Sequence, residues 1–208
     1  GVDTPVFGED IALPLEFQRS RFDSLGGEKN VSELSASSDF NNIPTSLLQS
    51  TAANMELLLC TKAEYRWAEW FGLVGLNDYL ISGFSTSTLQ ILAFFNTVMV
   101  SLNRYKFGDS LFEETALILK ESDDLDGAGF IFGTIGAYSG RYSYSLSRCI
   151  SMLEYGAKIS FEKGEYLPYI ACISNKIVVS FSAGVPLQNI QKLVAEHQSF
   201  LVSCGELV

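Results

Sequence analysis

The strongest constraint on this fold lies between Gly140 and Gly184, where two apolar-periodic stretches of helix length meet at Gly164. A third stretch of the same kind follows from Pro186. Apolar residues recur in each stretch at helical spacing, which predicts amphipathic helices with one face to bury. Because a helical hairpin cannot bury that face alone, it must lie against a neighbour. The sequence therefore predicts an all-α stack of antiparallel helical hairpins.

Short motifs predict where some of these helices begin and end. Gly184 suits the left-handed residue that closes a helix, and Pro186 suits the first turn of the next one. Another boundary is predicted at Gly108, where Asp109-Ser110 precedes Glu113 in the order of a capping box. A helix is therefore expected to start just after Gly108.

The first 42 residues differ in composition from the rest of the chain. They contain two prolines, the Gly26-Gly27 pair and a run rich in Ser and Asn at 32–42. This composition predicts an N-terminal arm or linker over residues 1–42, partly extended, with 11–17 docking as an extended segment. Helical signals dominate afterwards, so residues 43–208 are predicted to form the helical repeat domain.

Apolar spacing also predicts which side chains of the first helices are buried. The first helix of the repeat domain is expected to bury Leu47, Leu48, Met55, Leu58 and Leu59. The next is expected to bury Trp67, Trp70, Phe71 and Val74, which recur at i, i+3, i+4 and i+7.

The charge balance limits the classes of partner. The chain of 208 residues has a formal net charge of −10, from 24 acidic against 14 basic residues. It lacks the excess of Lys and Arg that binds nucleic-acid phosphates or anionic membrane surfaces, so neither partner is expected. The apolar stretches at 71–100 and 169–183 are interrupted by polar residues or are too short for a span of about 20 residues. They are predicted to be buried helices of a protein that does not enter a membrane.

The cysteines are expected to be reduced core residues. Cys60, Cys149, Cys172 and Cys204 are widely scattered, and each lies in an apolar helical context. A free cysteine packs like a small hydrophobe, whereas a disulfide framework is typical of shorter, loop-rich secreted chains. The cysteines therefore favour a cytoplasmic location.

A glycine-rich run at 126–133 has the composition of a phosphate-binding loop but not its context. No strand is predicted before it, and the acidic residues that precede it would repel phosphate. We expect instead that Gly129, Gly133 and Gly136 allow two helices to approach closely.

The remaining polar candidates do not predict an active site. His197 is the only histidine and falls on or beside the packing face of the last helix, where a hydrogen-bonded structural role is expected. The acidic cluster at 123–126 lacks the closing glutamate of a calcium loop, and the pairs Glu113-Glu114 and Glu162/Glu165 are expected to be surface carboxylates. No catalytic residue, cofactor or metal site is predicted, and the chain is not expected to be an enzyme.

The segment 137–145 gathers three tyrosines and an arginine at a predicted turn between helices. Tyrosine and arginine are enriched among residues that anchor protein partners. Arg141, Tyr142 and Tyr144 are therefore predicted to bind protein. The alternative is a turn that only packs its aromatic rings against the next hairpin.

Residues 140–187 resemble the tetratricopeptide-like helical region of large multidomain hybrid histidine kinases. In that family a kinase-like domain and an ATPase domain precede the helices, and a sensor domain and the histidine kinase follow. The resemblance rests on Gly140-Arg141, Leu153, Gly156, Gly164-Glu165-Tyr166, Asn175, Phe181 and Gly184-Val185-Pro186-Leu187.

The resemblance implies a superhelical, tetratricopeptide-like solenoid with degenerate repeats. It also implies a non-catalytic scaffold within a cytoplasmic stress-signalling kinase of a phosphorelay. Its partners would be other kinase domains, a second kinase or a response regulator. One alternative is an independent adaptor that binds a peptide in a concave groove. Another is a helical enzyme that binds a lipid or cofactor, which requires a deep apolar cavity with converging polar groups. The oligomeric state is not indicated.

Overall fold

A computed structural model describes residues 11–27, 29–31, 47–85, 87–121 and 127–205. Every regular element in these ranges is helical, and they contain no strand. The prediction of an all-α fold is therefore confirmed. The chain divides into two compact units, Gly1–Ser122 and Asp123–Val208.

From Leu47 onwards, the described helices within each unit follow one another through short connections. The first unit contains α1 (Ala12–Ser24), α2 (Leu47–Thr61), α3 (Tyr65–Ser82), α4 (Thr88–Ser101) and α5 (Tyr105–Glu121). The second contains α6 (Ala128–Thr134), a π-helical turn (Ile135–Ser139), α7 (Gly140–Ser143), α8 (Leu146–Glu162), α9 (Tyr166–Ser182) and α10 (Leu187–Gly205). Consecutive helices joined by such short turns lie antiparallel and pack side by side.

The N-terminal segment differs from the arm predicted for residues 1–42. Where an extended segment was expected at 11–17, the chain forms α1, which packs on α3 and buries Leu15 and Phe22. Pro14 is compatible with this helix because it lies in the first turn, where backbone N–H groups have no partner within the helix. The two compact units also divide after Ser122 rather than near residue 42.

Left-handed residues close the turns between paired helices. Gly184 has φ +73° and Gly164 has φ +73°, which confirms the predicted closure at Gly184. In the first unit the equivalent positions are Ala63, with φ 58°, and Asn103, with φ 60°. In all four turns the next residue donates its N–H to a carbonyl five residues earlier, as in a Schellman motif.

Turn residues with positive φ recur at a regular interval along the chain. Ala63, Gly83 and Asn103 follow one another at steps of 20 residues, as do Gly164 and Gly184. One helix with its turn therefore occupies 20 residues in both units.

The boundary predicted at Gly108 is wrong, because α5 already begins at Tyr105. The backbone carbonyl of Gly108 accepts a hydrogen bond from the Asn96 amide on α4. A Cβ at Gly108 would lie 3.2 Å from Val100 Cγ2 and 3.4 Å from the Asn96 carbonyl oxygen. The glycine therefore allows α4 and α5 to approach each other closely, and it does not mark the start of a helix.

The buried face of α2 also differs from the prediction. Leu59 is buried, but Leu47, Leu48 and Leu58 are exposed, and Met55 is half-buried. The face that packs consists of Gln49, Ala52, Ala53, Glu56 and Leu59. A Cβ at Gly75 of α3 would come within 3.0 Å of the Ala52 Cβ, so small residues are needed where these helices meet. The sequence also predicts an N-cap at Asn42 and places Pro44 in the first turn of this helix. Both residues lie outside the described residues.

Glycines bring the helices of the second unit together, as predicted. A Cβ at Gly129 would lie 2.8 Å from the Gly156 carbonyl oxygen, and one at Gly133 would lie 2.8 Å from Cys172 Sγ. A Cβ at Gly136 would lie 2.9 Å from Leu153 Cγ. Residues from Ala128 onwards are helical. The run therefore provides a packing surface for α6 and the π-helical turn.

Two of the cysteines lie in the core, as predicted. Cys149 and Cys172 are fully buried, and burial raises the pKa of the Cys172 thiol to about 12. Cys60 is half-buried, and all three are free thiols. The Cys204 side chain and the acidic cluster at 123–126 lie outside what the structure describes.

Candidate functional site

The predicted turn at 137–145 is mostly helical. The π-helical turn leads directly into α7, and the chain leaves the helix only at Tyr144 and Ser145. Gly140 N–H donates to the Ile135 carbonyl, where a Cβ would lie 2.8 Å from that oxygen. Gly140 therefore closes the wide turn instead of breaking the helix.

The three residues predicted to bind protein divide into two environments. Arg141 and Tyr142 are exposed on α7, and the Tyr142 side chain is 69% accessible. Tyr144 is half-buried and packs against the core cluster that contains Cys149 and Leu153. The guanidinium carbon of Arg148 lies 3.8 Å from the centre of its ring. Tyr144 thus fits the packing alternative, whereas Arg141 and Tyr142 are exposed and stay predicted protein-binding residues.

Sequence reasoning did not select Tyr138, which is also exposed. Tyr138 lies in the π-helical turn, one turn before Arg141 and Tyr142, and is 51% accessible. The signal was the spacing of i, i+3 and i+4, which places residues on neighbouring positions of a helix surface. Tyr138, Arg141 and Tyr142 are called the tyrosine patch below. π-Helical turns of this kind often occur at functional sites.

Three exposed apolar residues lie along one side of α9. Leu167, Val178 and Phe181 are 73%, 53% and 71% accessible. With Ala171 and Ser174 they lie at intervals of three or four residues, so they share one side of the helix. These five residues are called the α9 stripe. Val179 of α9 and Ala137 of the π-helical turn belong to the same core cluster, so this turn packs near the C-terminal part of α9.

A groove is formed by α8, α9 and α10. Its volume is about 320 Å³, and its apolar residues are Ala157, Phe161, Tyr169 and Ile173. Two acidic and two basic side chains surround them, and Lys176 pairs with Glu154 at 2.9 Å. These residues, with His197, are called the α8–α10 groove.

His197 lies at the α10 side of this groove in a structural setting. Its Nδ1 is 2.7 Å from the Tyr169 hydroxyl, and the two rings meet edge to face at 5.9 Å between centroids. The described residues show no hydrogen bond from this imidazole to a serine, cysteine or carboxylate. The predicted role as a hydrogen-bonded histidine beside the packing face is therefore confirmed.

Comparison with known proteins gives no family for this chain. A scan of protein-family models and searches of curated proteins and of solved structures return no match. In the part of the chain that the structure describes, no helix combines the length and apolar character needed to cross a bilayer. The same residues contain no group of three His, Cys, Asp or Glu side chains placed to hold a metal ion.

Proposed function

We propose that this chain is a non-catalytic interaction domain whose second unit binds a protein through the α9 stripe. The observation that carries the proposal is the exposure of Leu167, Val178 and Phe181, each more than half accessible, along one helix. Exposed apolar side chains that line one side of a helix are common at interaction sites, and burying apolar surface contributes about 25 cal/mol per Å². The spacing suits the apolar face of an amphipathic partner helix.

The proposal includes the tyrosine patch, because the π-helical turn packs near the C-terminal part of α9. Tyr142 and Tyr138 supply large apolar rings with a polar tip, and Arg141 supplies a cation. Such residues form the anchors of many interfaces. A partner that carries acidic residues beside its apolar face would complement both features.

We also propose that the paired helices form a tetratricopeptide-like stack with degenerate repeats. The regular 20-residue step makes each hairpin 40 residues long, which is longer than the tetratricopeptide hairpin of about 34. Membership of a cytoplasmic hybrid histidine kinase, with a kinase domain or response regulator as partner, stays a prediction.

The α8–α10 groove supports the adaptor alternative. A cleft of about 320 Å³ with aromatic walls and charges of both signs at its edges suits a few side chains of an extended peptide. This alternative differs from the first proposal in the residues it requires. Substitution of Ile173 and Lys158 would abolish it, whereas substitution of the α9 stripe would not.

Affinity capture with matched variants tests the proposal. Leu167→Ser combined with Phe181→Ser removes two exposed apolar side chains, and Val202→Ser removes a 56% accessible one from α10 as a control. We expect to capture partners that bind wild type and Val202→Ser equally. The same partners should bind the double variant at least about tenfold more weakly, a loss of about 1.4 kcal/mol in binding free energy. An Arg141→Ala, Tyr142→Ala variant is expected to weaken the same partners.

Capture that is identical for all variants would contradict the α9 stripe as a binding surface. Loss of capture only when Ile173 and Lys158 are changed would instead favour peptide binding in the α8–α10 groove. Circular dichroism melts of each variant check that the helices remain folded.

A further inference from the structure

The first unit contains a cleft of about 250 Å³ that none of the functions above uses. Four of its helices contribute to it, together with the turn that precedes α5. The lining residues are Arg19, Phe22, Asp23, Leu73, Phe95, Arg104 and Phe107. A cleft assembled from several helices is largely preformed, which favours binding of a small molecule.

A buried carboxylate fixes the two arginines at this cleft. Glu69, whose side chain is 1% accessible, accepts hydrogen bonds from Arg19 Nε at 2.8 Å and from its terminal nitrogen at 2.7 Å. Arg104 donates to the same carboxylate at 2.8 Å. Both arginine side chains are 45% accessible, so they reach from the carboxylate towards solvent. Two cations therefore share one buried anion.

The arginines retain donors that Glu69 does not use. Arg104 contacts Glu69 through a single terminal nitrogen, and no described residue accepts a hydrogen bond from its Nε or its other terminal nitrogen. Those two groups form the planar fork that binds a carboxylate or phosphate with two parallel hydrogen bonds. Arg19 uses its own fork on Glu69 and keeps one terminal nitrogen.

Aromatic rings form the apolar part of the cleft. Phe107 lies 5.9 Å between ring centroids from both Phe22 and Phe95. Phe22, Leu73 and Phe95 are buried, so these walls are held by the core. An engineered apolar cavity of about 150 Å³ is large enough for benzene. The cleft therefore has room for one ring and a short acidic chain.

We propose that this cleft binds a small carboxylic acid with an aromatic or branched aliphatic body. The carboxylate lies on the free fork of Arg104, and the apolar body lies against Phe107, the lining ring that is not buried. This activity is independent of the protein-binding surface in the second unit.

Asp23 determines which acids bind best. Its side chain is exposed and lines the same cleft, so its charge disfavours an anion that has no compensating group. A ligand with an ammonium group beside its carboxylate, as in an aromatic amino acid, places that group towards Asp23. Asp23→Asn is therefore expected to strengthen binding of a simple acid and to weaken binding of the amino acid.

A purely structural role for the cluster makes different predictions. If Glu69 and the arginines only hold α1 and α5 against α3, the cleft binds the charged acid no better than the neutral amide. Arg104→Met tests this because it removes the free fork while Arg19 still pairs with Glu69. Arg66→Met removes an exposed arginine of α3 that does not line the cleft and serves as the matched control.

Isothermal titration of the full chain with 3-phenylpropionate, phenylalanine and neutral 3-phenylpropionamide measures the affinities. We expect saturable binding of at least one acid, and binding of the amide at least about tenfold weaker. We expect a similar loss of acid binding in Arg104→Met but not in Arg66→Met, because hydrogen bonds between charged groups are stronger than those to a neutral group. The response of each acid to Asp23→Asn shows whether an amino acid or a simple acid is preferred. The proposal is overturned if neither acid binds, if the amide binds equally, or if folded Arg104→Met binds like wild type.

Discussion

The two units build the same helix pairs from different residues. In the second unit, Gly164 and Gly184 adopt the left-handed conformation that closes a turn, and they carry no conformational penalty. In the first unit, Ala63 and Asn103 adopt that conformation, although an L side chain disfavours it by about 1–2 kcal/mol. Turn geometry is therefore determined by the packing of the helices, and glycine only makes it easier.

Their interiors are alike in one respect and differ in another. Both units bring helices into contact through glycines, as where Gly129 meets Gly156 and where Gly75 meets Ala52. The first unit also joins its helices through buried polar side chains. Gln49 accepts hydrogen bonds from Ser85 and Thr88, and Asn77 donates to Gln18. We therefore expect added side-chain volume to destabilise either unit, and changes of buried charge or hydrogen bonding to affect mainly the first.

The largest effect is expected from Gly129→Ala in the second unit. The added methyl group would lie 2.8 Å from the Gly156 carbonyl oxygen, a backbone atom that cannot rotate away. We expect destabilisation by about 3 kcal/mol, typical of overpacking. Chemical denaturation followed by circular dichroism measures it, with exposed Ser174→Ala as a control that changes stability by less than about 0.5 kcal/mol.

A second prediction concerns Glu56, which is fully buried on α2. No described residue makes a hydrogen bond to either of its carboxyl oxygens, and burial raises its pKa well above the usual range. Because the folded state binds this proton more tightly, the stabilising contribution is complete below the unfolded pKa of about 4.3 and is lost as pH rises through the folded pKa.

Glu56→Gln removes this proton linkage. We expect the variant to gain stability relative to wild type as pH rises through the range above the unfolded pKa of about 4.3, because only the wild-type side chain must hold a proton or ionise in the buried site. Both tryptophans, Trp67 and Trp70, lie in the first unit, so their fluorescence reports its unfolding. A constant stability difference across this pH range would show that Glu56 is solvated. Exposed Glu64→Gln provides the control.

The smallest effects are expected at the turns and have opposite signs. Ala63→Gly relieves the left-handed alanine and should stabilise the first unit by about 0.5–1 kcal/mol. Gly184→Ala introduces the same strain into the second unit, where a Cβ would meet no atom within 4 Å, and should destabilise it by about 1 kcal/mol. Denaturant midpoints measure both. Equal signs for the two substitutions would contradict the proposed equivalence of the turns.

The sequence predicted the second unit better than the first for the same physical reasons. Glycine and proline mark helix ends whenever a left-handed residue or a first turn is needed, so Gly184 and Pro186 were recognised. Alanine is typical of helix interiors, so Ala63 gave no signal. On α2 the small residues at the contact were less visible than the leucines, and the predicted face was therefore the exposed one.

The candidate sites follow the same division. Arg141 and Tyr142 are adjacent in sequence and could be selected there as candidates, whereas the contribution of Tyr144 to the core depends on tertiary packing. The cluster of Arg19, Glu69 and Arg104 joins residues 50 and 35 positions apart, so only the fold brings it together. Sequence periodicity does not predict contacts between residues so far apart in the chain.

Hydroxyl-radical footprinting of the free chain tests most directly whether the second unit presents an unpaired apolar helix face. We expect fast oxidation of Leu167, Phe181 and Tyr142, and slow oxidation of the buried Phe95 and of the packed Tyr144. Protection of Leu167 and Phe181 equal to that of Phe95 would show that the α9 stripe is not exposed.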